Sequence, residues 1–308
     1  MIQAYVERAP APRYLSSFFT LRPENIHDSE LIEMDIQRSN EDVAVPVPDV
    51  STGPRMNEND KYTNKAFTPP IFKEAAGITA FEQVKRQPGV DPFQDPNFLA
   101  NAGRQAFALM GKMGDKVNRA VELMASQVLQ DGVITLIDSG GNTLYTIDFL
   151  MKSSHKITVG TAWAVDGSTG APLADIAAAS RVVRKDGKTR PDRLNFGASA
   201  IQRFLANANV QKQLDKTQLN LGALQPSQRN EDATFVGMIW IDNYQYEMWR
   251  YDGYFAHPQT GTITPYISDD NLIISSSSAR MDLTVGTIPM FVQPEQRVSG
   301  FLPSQINA

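Results

Sequence analysis

Between Asp95 and Gly132 apolar residues recur in steps of three and four, at Leu99, Ala102, Ala106, Leu109 and Met110, Met113, Val117, Ala120 and Val121, Met124 and Val128. That period is α-helical, and Asp95-Pro96 supplies a start signal, so the pattern predicts one long helix over 95–132. The opposite face carries Arg104, Lys112, Asp115, Lys116, Arg119 and Glu122, with Asp115 placed four residues before Arg119 as a supporting pair. At about 1.5 Å per residue the rod runs to roughly 45 Å or more, beyond an ordinary globular helix. Its glycines, Gly103, Gly111 and Gly114, each cost about 1 kcal/mol against alanine in a helix interior, which predicts a gentle bend or the close approach of another backbone. The charged face excludes a membrane span, which needs about 20 mainly apolar residues.

Ahead of this helix the pattern is extended. Residues 1–40 combine Pro10, Pro12 and Tyr14 with an apolar knot, Leu15, Phe18, Phe19 and Leu21, and a mixed run from Ile26 to Ile36, and they read as an irregular arm with one or two short elements. In Val43-Ala44-Val45-Pro46-Val47-Pro48 valine alternates at period two while proline interrupts any ladder, the mark of an edge or protruding strand. Phe67-Thr68-Pro69-Pro70-Ile71-Phe72 matches it, and the polar stretch Ser51–Lys65 between them predicts the tip of a two-stranded ribbon. Two strands alone bury too little, so the ribbon packs on its own domain or on another subunit, and Phe67, Ile71, Phe72 and Phe81 at its base need a cover. The candidate intersubunit contacts are Val43, Val45, Val47, Arg55, Lys61, Phe67, Ile71 and Phe72.

After the helix, Val133–Ile137 and Leu144–Ile147 flank Ser139-Gly140-Gly141-Asn142, a strong hairpin signal. A further strand is expected over Lys156–Val165. Helices are predicted over Leu173–Lys185, with Asp175 in the first turn and Gly187 as the stop, and over Gly197–Leu214. Phe235–Ile241 and Tyr244–Tyr251, joined by Asp242-Asn243, read as strands with aromatic positions suited to a half-buried sheet. Shorter strands are expected at Pro265–Ile267, Leu272–Ile274, Met281–Val285 and Ile288–Val292, and the sequence contains no internal repeat.

Composition narrows the function. With 308 residues and 42% hydrophobic content the chain can build a substantial core. A net charge of -5 leaves no overall electrostatic footprint for wrapping phosphates. The lack of cysteine removes disulfides, thiolate nucleophiles and Cys-type metal sites. The N-terminus carries no basic-then-apolar signal pattern, so the protein is expected to stay in the cytoplasm where it is made.

Candidate chemistry is sparse. His27, His155 and His257 lie far apart without partners at helical spacing, and no metalloprotease, nucleophile-elbow or calcium-loop pattern occurs. Gly187-Lys188-Thr189 resembles the end of a phosphate loop, yet Val182 stands where the earlier glycine is required. Asp269-Asp270 reads as an acidic turn rather than a cation site. Trp240, Trp249, Tyr244, Tyr246 and Tyr251 could form a sugar-binding platform, and are more simply a sheet core. No catalytic, cofactor or metal site is therefore assigned, and an arm, a polar-tipped ribbon and a long helix point to a protein that touches copies of itself.

The order of these segments resembles the major capsid proteins of tailed bacteriophages, of the lambda head-protein type with the Hong Kong 97-like fold. Leu15-Ser-Ser-Phe-Phe19, Lys65-Ala-Phe-Thr-Pro-Pro70, Asp95-Pro96, Pro172-Leu-Ala-Asp-Ile176, Ala198–Phe204 and Ile267-Ser-Asp-Asp-Asn-Leu272 through Ala279-Arg280 carry the resemblance in sequence order. It implies an α+β fold with an N-arm over 1–40, an extended loop over 41–90, a peripheral domain over 91–159 including the spine helix, an axial domain over 160–280, and a return strand and tail over 281–308. It further implies hexamers and pentamers closing an icosahedral head around double-stranded DNA without sequence-specific binding. Scaffold, portal and decoration proteins are the implied partners. The segment after Arg280 is shorter than is usual in the family, and no crosslinking lysine carries over. An encapsulin-like compartment shell on the same fold is the alternative.

Overall fold

The computed structural model describes residues 11–27, 31–38, 61–74, 98–216, 227–228 and 232–286, and the chain is mixed α+β. A turn at Tyr14-Leu15 opens a short 3-10 helix, Ser16–Phe18, followed by strand β1 (Thr20–His27). Strands β2 (Ile32–Arg38) and β3 (Lys61–Phe67) pair antiparallel, with Ile32 opposite Phe67 and Arg38 opposite Lys61. This ladder corrects the expected ribbon. Residues 32–38, read as arm, are a strand, and of 67–72 only Phe67 belongs to the ladder. Pro69 and Pro70 offer no N–H to a neighbouring strand, which ends the pairing there. Val43–Pro48 and Phe81 lie outside the described residues.

The spine helix α1 covers Phe98–Asp131, and the start signal Asp95-Pro96 falls outside the described residues. Gly132 ends it at φ 66°, where its N–H reaches the Val128 carbonyl at 2.9 Å. The predicted hairpin follows as β4 (Val133–Ile137) and β5 (Thr143–Asp148), with the Asp138 carboxylate accepting the Asn142 N–H at 2.8 Å across the turn.

No strand forms over Lys156–Val165. Instead the Trp163 indole N–H donates to Asp175 at 2.8 Å, anchoring the segment on helix α2 (Pro172–Gly187) rather than in a ladder. Helix α2 has Asp175 in its first turn and closes through Lys188, which takes the left-handed conformation at φ 53°. After strand β6 (Arg193–Phe196), the expected single helix over 197–214 is two: α3 (Ala198–Ala206) and α4 (Ala208–Lys216). Asn207 divides them. Its backbone is extended, its amide donates to the carbonyls of Gly167 at 3.3 Å and Gly170 at 3.4 Å, and its side-chain oxygen caps α4 through the Asn209 N–H at 3.0 Å.

Strands β7 (Ser227–Gln228), β8 (Ala233–Ile241) and β9 (Tyr244–Tyr251), a small ribbon of β10 (Tyr254–Ala256) and β11 (Ile263–Pro265), and β12 (Leu272–Ser275) complete the larger unit. The main sheet runs β12-β6-β9-β8-β7, with β6 and β9 parallel and the other pairs antiparallel. Asp242 and Asn243 turn β8 into β9 with φ of 50° and 65°, the left-handed pair that a tight hairpin requires. Of the strand expected over 265–267 only Pro265 is in β11, and Tyr266 and Ile267 are buried in a bend.

Both faces of β9 are covered. Tyr246 and Met248 join Ile176, Phe196, Ile201, Phe204 and Val210 beneath the helices. Trp249 and Tyr251 face Tyr14, Leu15, Ala125 of the spine, Tyr266 and Ile267. Burying one such side chain contributes about 1.5–3 kcal/mol, so this strand anchors the unit. Strand β13 (Asp282–Gly286) pairs with β1, and Arg22 reaches Asp282 at 3.2 Å. Residues 288–292 are outside the described residues. The chain divides into one unit of residues 1–20 and 72–281 and a second of 21–71 and 282–308.

Candidate assembly surfaces

Four of the eight expected contact residues can be placed. Lys61 opens β3 and Phe67 closes it, about 20 Å apart along the strand, so they belong to opposite ends of the ladder. Ile71 and Phe72 follow in non-strand backbone and are 44% and 38% exposed. Phe67 is half-buried opposite the buried Ile32. Val43, Val45, Val47 and Arg55 lie outside the described residues.

The spine carries a second exposed apolar surface that the sequence pattern did not separate. Phe107 is 78% exposed and Met110 62% exposed. With Gly103 and Gly114, these positions follow at intervals of four, three and four, which places them on one helix face. Among the described residues no atom lies within 4 Å of a Cβ built on Gly103 or Gly114, so none of them makes a close backbone contact with either glycine. The helical apolar period includes Met110 and passes over Phe107.

The buried face of the spine is displaced from the predicted one. Glu122, expected on the charged outer face, is fully buried together with Ala125 and Ser126, whereas Val121, Met124 and Val128 are half-buried. Its carboxylate accepts the backbone N–H of Leu15 at 2.7 Å and of Ser16 at 2.9 Å, and the Tyr251 hydroxyl at 2.8 Å. Three donors satisfy the charge in place of water, which is why burial is tolerated. Ser126 and Gln130 continue the same face at four-residue steps. Ser126 donates its hydroxyl to the Tyr266 carbonyl, and Gln130 donates to that carbonyl and to the Ser126 hydroxyl, each at 2.8 Å. The Gln130 carbonyl oxygen accepts the Asn271 amide at 3.0 Å.

This polar ladder fastens the N-terminal segment, the end of β9 and the bend at 266–271 to one rod. Tyr14 adds its ring, stacked on Tyr251 at 5.4 Å, and donates its hydroxyl to Asn195 at 2.6 Å. Burial pushes the hydroxyls of Tyr14, Tyr251 and Tyr266 well above the usual tyrosine range, and the Glu122 charge raises the last two further. The signal in the sequence was the spacing of Glu122, Ala125, Ser126 and Leu129, a helical stripe of mostly small residues that lets other backbone come close.

The remaining candidates resolve into structural roles. Lys188 caps a helix and does not end a phosphate loop. The Asp269 carbonyl accepts the N–H groups of Ser199 and Ala200 at the start of α3, and Asp270 pairs with Arg203 at 3.1 Å, so this turn is a cap. His155 sits 3.0 Å from Asp186, and no group of three or more potential metal ligands occurs among the described residues. The aromatic platform separates onto two sheet faces: Tyr246, Trp249 and Tyr251 are buried and Trp240 is 45% exposed. No helix among the described residues is long and apolar enough to cross a membrane.

Comparison with known proteins supplies the family. Residues 1–299 match the family model described as phage major capsid protein E. No curated protein matches. A solved structure of a prophage protein from E. coli CFT073, assigned as a capsid protein, resembles the chain at a TM-score of 0.49 and 16% identity. The similarity covers 67% of this chain and 58% of that one, so the chain spans less than two thirds of that relative's length. With the family model extending over all but the last residues, this chain belongs to the phage major capsid protein E family.

Proposed function

We propose that this chain is the repeating subunit of the icosahedral head of a tailed bacteriophage, assembled in the host cytoplasm through hexamers and pentamers around double-stranded DNA. The observation that carries the reading is the family match over residues 1–299, which makes the chain a structural capsid protein and not an enzyme or a cargo-compartment shell. In this reading the molecule has the Hong Kong 97-like architecture, with an arm over 1–40, an extended loop over 41–90, a peripheral domain over 91–159, an axial domain over 160–280 and a return segment over 281–308.

Supporting it are apolar side chains that the single chain leaves in water. Phe107 and Met110 on the spine, and Ile71 and Phe72 after the ribbon, are surfaces that neighbouring copies would cover. Contacts between copies hold no disulfide, since the chain has no cysteine. Portal, scaffold and decoration proteins are the further partners, and DNA is enclosed without sequence recognition. The test is the double variant Phe107→Asp/Met110→Asp. It should fold normally and fail to form closed particles under conditions where the parent forms them. Normal particles from the variant would remove the spine face from the interface.

A further inference from the structure

The net charge of -5 conceals a local reversal. From Arg181 to Arg193 the chain places Arg181, Arg184, Lys185, Lys188, Arg190 and Arg193 against Asp186 and Asp192. The first four follow at intervals of three, one and three, which puts them along one side of the C-terminal half of α2. Arg190 returns toward the same place: its guanidinium lies 5.1 Å from the centre of the Tyr244 ring, and that of Arg184 lies 4.3 Å from it. Asp242, in the β8–β9 turn, is shared between Arg181 at 3.3 Å and Arg184 at 3.7 Å. Asp186 is turned to Lys152 at 3.3 Å and His155 at 3.0 Å. No carboxylate pairs with Lys185 or Arg190 among the described residues.

Helix-dipole stabilisation accounts for basic residues in the last turn, at roughly 0.3–1 kcal/mol each. It covers Arg184 and Lys185. It does not account for Arg181 a turn earlier, or for Arg190 beyond the helix. We infer that this face of α2, with the β8–β9 turn, is a contact surface for the phosphate backbone of double-stranded DNA. The inference rests on the capsid reading for the identity of the polyanion. Planar guanidinium groups, two of them oriented by the Tyr244 ring, suit phosphate oxygens. Arg181, Lys185, Lys188 and Arg190 are exposed on this face, a run of cations that suits a polyanion. Contacts limited to phosphate give weak, sequence-independent binding per chain, which a lattice of copies would multiply.

The test uses the full chain in unassembled form, with fluorescence anisotropy of two unrelated DNA duplexes of about 30 base pairs across a salt series. The parent should bind both equally, and affinity should fall steeply with salt. Arg181→Glu/Lys185→Glu/Arg190→Glu should weaken binding at least about tenfold at low salt and reduce the log–log salt slope by about 2–3, near 0.9 per lost phosphate contact. Arg104→Glu/Lys112→Glu on the spine should change neither. If the triple variant fails to fold by circular dichroism, Lys185→Gln/Arg190→Gln, which touches no ion pair among the described residues, should lower the slope by about 1–2. Absence of DNA binding by the parent, an unchanged slope, or equal loss in the spine control would overturn the inference. Binding of polyglutamate without binding of DNA would do so too, and would assign the patch to an acidic protein. Particles that form normally beside a failed DNA test leave the capsid reading intact, whereas DNA binding without particle formation under any condition sinks that reading alone.

Discussion

Glu122 is the residue on which the larger unit turns. It collects two backbone N–H groups from the N-terminal segment and the hydroxyl of Tyr251 at the end of β9, so a single carboxylate joins three distant stretches of chain. Glu122→Ala strands all three donors in a buried site, and chemical denaturation should show a loss of about 3–5 kcal/mol. Glu122→Gln keeps the shape and an acceptor oxygen, and should cost less. The buried tyrosines set a second expectation. Tyr14, Tyr251 and Tyr266 have folded-state pKa values raised above the ordinary 10.0. Below that pH both states keep the proton and the contribution is constant. Above about pH 10 the unfolded chain releases protons that the folded one retains, so stability should fall as pH rises. A pH series of unfolding curves checks the sign, and Tyr251→Phe should flatten the decline.

At the level of elements, the spine is both a core helix and an outward-facing surface. Its C-terminal part is fixed by Glu122, Ser126 and Gln130, while Phe107 and Met110 remain exposed. Aspartate at the two exposed positions should alter the unfolding free energy of the single chain by no more than about 0.5 kcal/mol each, a value that denaturant titration of unassembled protein reads directly. Asn207 makes the opposite case, an exchangeable-looking polar residue with a fixed role. Asn207→Ala should cost about 1–2 kcal/mol by the same titration, through the lost cap and two abandoned carbonyls.

These elements show what periodicity conveys. The spine, the 133–148 hairpin, α2 and the β8–β9 hairpin were legible because local spacing and turn residues specify them. The break at Asn207 was not, since its partners are the carbonyls of Gly167 and Gly170, remote in sequence. The burial of Glu122 was hidden for the same reason: a charged residue reads as solvent-facing until the donors from residues 15, 16 and 251 arrive. Pairing of β2 with β3 was misplaced because valine alternation at 43–47 gave a stronger strand signal than the mixed run at 32–38. Of the proposed contact surface, Ile71 and Phe72 after the ribbon are apolar positions that the sequence marks, while Phe107 falls outside the helical apolar period and is distinguished only by its exposure.

For the whole molecule, net charge and local charge carry different information. In the proposed shell, an overall charge of -5 suits a lining that does not hold a passing polyanion tightly, and the restricted basic face on α2 would suit many weak contacts. The exposed apolar residues of the spine and of the segment after the ribbon are costs in a solitary chain, and in the proposed lattice they would become contacts. The central claim is that this chain builds a shell from copies of itself, and sedimentation velocity with negative-stain microscopy of the same sample addresses it most directly. Ring-sized oligomers and closed particles that contain the full-length chain are the predicted result. A monomer that persists at every concentration and salt tested, with or without coexpressed phage assembly proteins, would contradict it.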